Sequence, residues 1–189
     1  MNMKRIIGKC HGVTRRSAWV SALFLLLGPA SVATAADNMR FYGALVAEPC
    51  VITPGQEEIS LDFGTIVDKT LYLHQRTAGQ RFELHLAKCD LSLGKTVTIR
   101  FVSTAESLLL PGLLAPDSGS QAKGIAIGLE TLDATPLPIN KASGKYTLQA
   151  GSNIIVLKAY VQGEAKAIAN KTIERGPFSA TATFRLDYE

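Results

Sequence analysis

The chain has 189 residues, with 20 Lys+Arg against 16 Asp+Glu and three cysteines. That length suits one globular domain, or one domain behind a removable segment. The basic excess lies at the front: Lys4, Arg5, Lys9, Arg15 and Arg16 form a stretch without an acidic residue.

An apolar run from Ala18 to Leu27 follows, then small residues ending Ala33-Thr34-Ala35. This is the n-region, h-region and A-x-A site of a secretory signal peptide. Residues 1–35 are expected to be removed, with cleavage after Ala35 or one residue later. The competing reading is a membrane anchor with a long basic head. The apolar run of about ten residues is short for it, since a membrane helix needs roughly 20. The remaining chain carries 15 basic and 16 acidic residues, a net charge of −1. It offers no clustered basic surface for nucleic acid.

Cys10 leaves with the leader. Cys50 and Cys89 remain, in an exported protein where disulfides persist, and two cysteines allow one pairing, Cys50–Cys89. Free thiols or metal ligands are the alternative. The pair lacks C-x-x-C spacing, and His74 and His85 form no ligand motif with it. No metal or other cofactor is expected.

Along the mature chain, apolar residues alternate with polar ones. The runs are Met39/Phe41/Gly43/Leu45, Ile59/Leu61/Phe63, Phe82/Leu84/Leu86, Val97/Ile99/Phe101, Ile125/Ile127/Leu129, Ile155/Leu157/Ala159/Val161, and Phe178 through Tyr188. Each reads as a half-buried strand. Turn-rich pieces separate them: Thr53-Pro54-Gly55, Pro116-Asp117-Ser118-Gly119-Ser120, and Ala142-Ser143-Gly144. No convincing helical stripe appears. About seven strands in about 154 residues predict an all-β, immunoglobulin-like sandwich. The first run starts within a few residues of the cleavage site. It is either the first strand of its own sheet or a free strand seeking an edge on another chain.

These residues resemble the pilin subunits of chaperone–usher fimbriae, and most of all the minor, adaptor-type subunits. Arg40-Phe41-Tyr42-Gly43-Ala44-Leu45-Val46 and Pro49-Cys50 are similar to that family's N-terminal extension and first cysteine. Phe82 through Cys89 is similar to the strand that ends on its second cysteine, and Gly124–Leu129 through Pro136–Asn140 to a middle stretch. Ala180 through Tyr188 ends on a penultimate tyrosine, with Gly176 fourteenth from the end, where the family places a glycine.

The resemblance implies a signal peptide at 1–35, an N-terminal donor-strand extension at 36–49 and a pilin domain at 50–189. That domain is an incomplete immunoglobulin-like sandwich lacking its last strand. Met39, Phe41, Gly43 and Leu45 would enter a neighbour's groove. Gly176, Phe178, Ala180, Ala182, Phe184, Leu186, Tyr188 and Glu189 would line this chain's own groove and meet a periplasmic chaperone. An outer-membrane usher and neighbouring subunits complete the expected partners, on a route through the periplasm to a surface fimbria that supports adhesion. The readings set against these are a first strand in the chain's own core for residues 39–45, and a satisfied buried tyrosine for Tyr188. A major rod subunit, a glycan-binding adhesin and a secreted enzyme are the alternatives for the whole.

Catalysis finds little support. The mature chain has no Gly-x-Ser-x-Gly, His-Glu-x-x-His or phosphate-binding loop. Glu57-Glu58 reads as a solvated turn, and His85 alternates with Leu84 and Leu86 and so points away from their face. The Leu108–Leu114 run is unusual for a loop. It could cap the sandwich, cover part of the groove or bind a receptor.

Overall fold

A computed structural model describes residues 42–189. The expected signal peptide, and Met39 and Phe41 of the expected extension, lie outside the described residues. Residues 44–189 form one compact unit. The other unit, residues 1–43, is described only at Tyr42 and Gly43, both exposed.

The elements run β1 (Val51–Ile52), α1 (Asp68–His74), β2 (Gln80–Cys89), β3 (Thr96–Val102), β4 (Ile125–Thr131), β5 (Tyr146–Thr147), β6 (Gly151–Gly163), α2 (Ala165–Asn170) and β7 (Thr183–Tyr188). They make two sheets, ordered β1-β2-β6-β4 and β5-β3-β7. All five ladders are antiparallel. Alternation places Leu84, Leu86, Leu157 and Val161 on the inner face of one sheet and Val97, Ile99 and Phe101 on that of the other, all buried. The Phe82 and Phe101 rings meet edge to face across the layers, 6.2 Å between centroids.

Cys50 and Cys89 are bonded, with Cα atoms 4.1 Å apart. The bond ties the start of the domain to the end of β2.

The sequence reading holds for β2, β3, β4 and β6. Residues 59–63 keep their alternation, with Ile59, Leu61 and Phe63 half-buried and Ser60 and Asp62 exposed, but they form no strand. Two short helices also occur. With seven and six residues they are too short to show the i, i+3, i+4, i+7 pattern, and each buries one side chain, Leu71 or Ala167.

Two strand flanks are covered by loops or short strands. Along β4, Leu114 and Ile127 exchange backbone hydrogen bonds, Leu137 N–H donates to the Leu129 carbonyl and Thr131 N–H to the Thr135 carbonyl. On the far side of β3, β5 and Ser143 play this part; Ser143 N–H donates to Ile99, and its hydroxyl accepts from Ile99 N–H. A bare edge invites pairing with other chains, and covering it removes the invitation.

Candidate functional site

One bare edge runs along half-buried apolar side chains. Strand β7 pairs with β3 on one side only. Glu189 N–H donates to the Thr96 carbonyl and Thr96 N–H to a Glu189 main-chain oxygen, which marks a mutually bonded pair. Antiparallel alternation then turns the main chain of Thr183, Arg185 and Asp187 toward β3 and that of Phe184, Leu186 and Tyr188 away from it.

The same phase continues backward. The carbonyls of Pro177, Ser179 and Thr181 accept hydrogen bonds from Gln121 N–H, Asp117 N–H and the Ser103 hydroxyl respectively. Phe178, Ala180 and Ala182 have no backbone hydrogen bond to another described residue. So Phe178, Ala180, Ala182, Phe184, Leu186 and Tyr188 present a bare edge of donors and acceptors. The side chains of these six residues face the core and are all half-buried, while their intervening neighbours are exposed.

The opposite wall is residues 57–66. Ile59, Leu61, Phe63 and Ile66 pack against the core and are also half-buried. Their backbone makes no backbone–backbone hydrogen bond within the described residues. The two walls meet at one end, where Phe63 lies 6.1 Å from Phe178 by ring centroids. Just beyond, the Arg175 guanidinium donates twice to one Asp68 carboxylate oxygen, at 2.9 and 2.7 Å. That hydrogen-bonded guanidinium holds the Asp68 carboxyl below the usual carboxylate range. At the other end Pro49 and Glu189 both lie against Gly94. Burial pushes the Tyr188 hydroxyl up, and the nearby charge of Glu48 adds to this. Pro49 beside Glu189 and Phe63 beside Phe178 mean that the walls run antiparallel. A strand laid between them must be parallel to one and antiparallel to the other.

The loop around Asp117 braces this wall. The Ser120 hydroxyl accepts from Ser179 N–H at 3.0 Å and donates to its carbonyl at 3.1 Å. The Asp117 carboxylate accepts from the hydroxyls of Ser179 and Thr181. Sequence reading found this loop only as a turn. Gly176 has φ of 150°, and a Cβ there would lie 2.6 Å from Gln121 Cβ, so glycine lets the loop close on the wall.

Of the four expected donor-strand residues, Gly43 and Leu45 are described. Neither lies in a strand, and Leu45 and Val46 are almost fully exposed at 104% and 76%. Burial begins abruptly at Pro49 and Cys50.

The sequence reading also missed a buried carboxylate. Glu130 is 1% exposed, with Arg76 Nη2 at 2.9 Å and Lys158 Nζ at 3.1 Å. The Arg76 guanidinium also lies 3.8 Å from the Tyr160 ring centroid. Tyr160 in turn crosses Gly128, where a Cβ would sit 2.2 Å from Cζ of the ring. Arg76 hydrogen-bonds one carboxylate oxygen, and the other has the Lys158 ammonium beside it as an ion pair without a hydrogen bond among the described residues. His85 accompanies Glu83 at 3.0 Å on the outer face of β2. Among the described residues no group of three or more His, Cys, Asp or Glu could hold a metal ion, and no helix is long and apolar enough to cross a membrane.

A sandwich with one bare edge over half-exposed apolar side chains has the architecture of a pilin, an immunoglobulin-like fold short of one strand. The comparisons agree. The chain belongs to the fimbrial protein family, whose model matches residues 39–189. It is 32% identical to the Fimbria A protein of Serratia marcescens, over 89% of this chain and 95% of that one. It is 29% identical to the fimbrial adapter PapK of Escherichia coli, over 88% and 96%. Among solved structures, the P pilus rod subunit PapA superposes with a TM-score of 0.64 at 22% identity, covering 75% of this chain and all of that one. The protein is therefore a structural subunit of a surface fimbria and not an enzyme.

Proposed function

We propose that the protein is a chaperone–usher fimbrial subunit that both accepts and donates a strand. In this reading the groove between residues 57–66 and Phe178–Tyr188 takes the extension of a neighbouring subunit, and Met39, Phe41, Gly43 and Leu45 fill the groove of another. The observation that carries the proposal is the bare β7 edge beside half-buried apolar residues. Strand addition satisfies both needs together, since the main chain supplies affinity and alternate side chains supply specificity. A periplasmic chaperone holds the same edge and engages the Glu189 end before an outer-membrane usher passes the subunit on. Within this reading the chain takes a minor, adaptor-type place, in keeping with its likeness to an adapter; a major rod subunit is the alternative, in keeping with its similar likeness to a major fimbria protein.

Mass spectrometry of sheared surface fibres tests this reading. It expects the chain beginning at Ala36 or Asp37, at low copy number beside other subunits. A chain found only as free periplasmic protein overturns it, and a chain that dominates the fibre mass makes it the rod subunit.

A further inference from the structure

Leu108 is 94% exposed and Leu109 59% exposed, yet the loop that carries them is firmly built. Ser107 N–H donates to the Leu113 carbonyl and Leu113 N–H to Leu110. The Ser107 hydroxyl accepts from Leu110 N–H, and the Glu106 carboxylate accepts from Gly112 N–H. Leu114 is buried and locked to β4. The turn thus holds two leucines outward on a hydrogen-bonded frame. Such a fixed apolar pair in water marks a contact surface.

The pair borders a shallow concavity of about 510 Å³ that it shares with Pro116, Asp117, Ser120 and Lys123. Asp117 and Ser120 are the residues that brace Ser179 on the groove wall. The leucine patch is therefore continuous with the Phe178 end of the groove.

Resting on the strand-exchange reading above, we infer that Leu108 and Leu109 form a docking site for the folded body of the subunit whose extension fills this groove. The regular ladder in the groove is β7, because residues 57–66 form no strand. Antiparallel pairing is the more stable per residue, and every ladder in this domain is antiparallel. A donor antiparallel to β7 leaves the groove at the Phe178 end. If its own geometry matches this chain's, its last groove position and its first buried residue are four positions apart, as Leu45 and Pro49 are here. At about 3.3 Å per residue that places the donor's body within roughly 13 Å of the groove mouth, on the side where the leucines stand.

The test uses the full chain in cells that assemble the fimbria, with a benzophenone side chain at position 109 or, separately, at position 45. The expected result is an adduct from each. That from 45 should map to the groove of a second subunit. That from 109 should map to the folded domain of the subunit whose extension lies in this groove. The L108S/L109S variant should keep its urea midpoint and lose about tenfold in fibre incorporation. An adduct from 45 with none from 109, and normal incorporation of the variant, overturns the docking site and leaves strand exchange standing. A 109 adduct with a non-fimbrial molecule also overturns it. Absence of the 45 adduct overturns strand exchange and the docking site together.

Discussion

Ile99 and Leu186 stand opposite each other across the β3–β7 ladder, yet Ile99 is 1% exposed and Leu186 is only half-buried. The same holds for Val97 beside Tyr188 and Phe101 beside Phe184. Neighbouring residues on one inner face differ because β3 is covered on both sides, by β7 and by β5 with residues 140–143, and β7 is covered on one. The missing cover is one strand wide.

Strand exchange predicts opposite effects at the two ends of the chain. Phe41→Asp should leave folding and chaperone binding intact and block insertion into a neighbour, because it puts an unpaired charge into an apolar site. Phe184→Asp should destabilise the subunit itself by about 2–4 kcal/mol, since Phe184 packs on the core. Urea denaturation and paired pull-downs, with the chaperone and with a groove-bearing subunit, check both. Loss of folding in Phe41→Asp would assign residues 39–45 to the chain's own core.

Cys50→Ser removes a bond that closes a 39-residue separation. The expected loss is about 2–5 kcal/mol. Melting temperatures with and without reductant should differ in the parent chain and coincide in the variant.

Glu130→Gln should cost about 2–4 kcal/mol. It takes the charge from a buried carboxylate flanked by Arg76 and Lys158 and leaves both cations without their counter-ion. Arg76 keeps some contact with water, at 38% side-chain exposure, which holds the loss toward the lower end. Chemical denaturation of the variant gives the value directly.

Gly128→Ala should cost about 1–3 kcal/mol by displacing the Tyr160 ring. In a Tyr160→Ala background the same substitution should cost much less. A double-mutant cycle measures the difference, and equal costs in both backgrounds would show that the ring is not what excludes the methyl group.

Acid should destabilise the domain through carboxyls held below their usual range. Asp68 is held by the Arg175 guanidinium, Asp90 by the Ser92 hydroxyl and amide, and Asp133 by the Thr131 and Thr135 hydroxyls. Each binds its proton less readily folded than unfolded. Its contribution is therefore present above the ordinary carboxylate range of about 4 and lost as pH falls through the lowered native value. Asp68→Asn should flatten the stability curve below about pH 4 and change little at pH 7 beyond the loss of its ion pair. Denaturant midpoints across pH 2–7 test this.

Much of the fold was legible because the alternation of β2, β3, β4 and β6 is produced by one solvated and one buried face. Phe178 through Tyr188 was expected to be a groove wall only through resemblance, since a bare edge and a paired edge carry the same alternation. Residues 57–66 misled for the same reason: Ile59, Leu61 and Phe63 alternate as a strand does, while their hydrogen-bonding groups have no ladder to join. Glu130 was invisible because its partner Arg76 lies 54 positions away, and no local pattern announces such a pair. The Leu108–Leu114 turn became intelligible only when Leu114 was found locked to β4 and Leu108 turned outward.

The place of the Cys50–Cys89 bond has a mechanical consequence. A fibre in flow is stretched, and under the strand exchange proposed above the tension would reach this subunit along its extension. The first strand among the described residues, β1, has only two residues and would peel readily under such a pull. Cys50 precedes it, so force is divided at that residue and carried covalently into the end of β2. Strand β2 is laddered to β6 over most of its ten residues, and β6 is the longest strand, flanked on both sides within its sheet. Load thus enters the best-anchored part of the sandwich in shear, and the fragile first strand is bypassed.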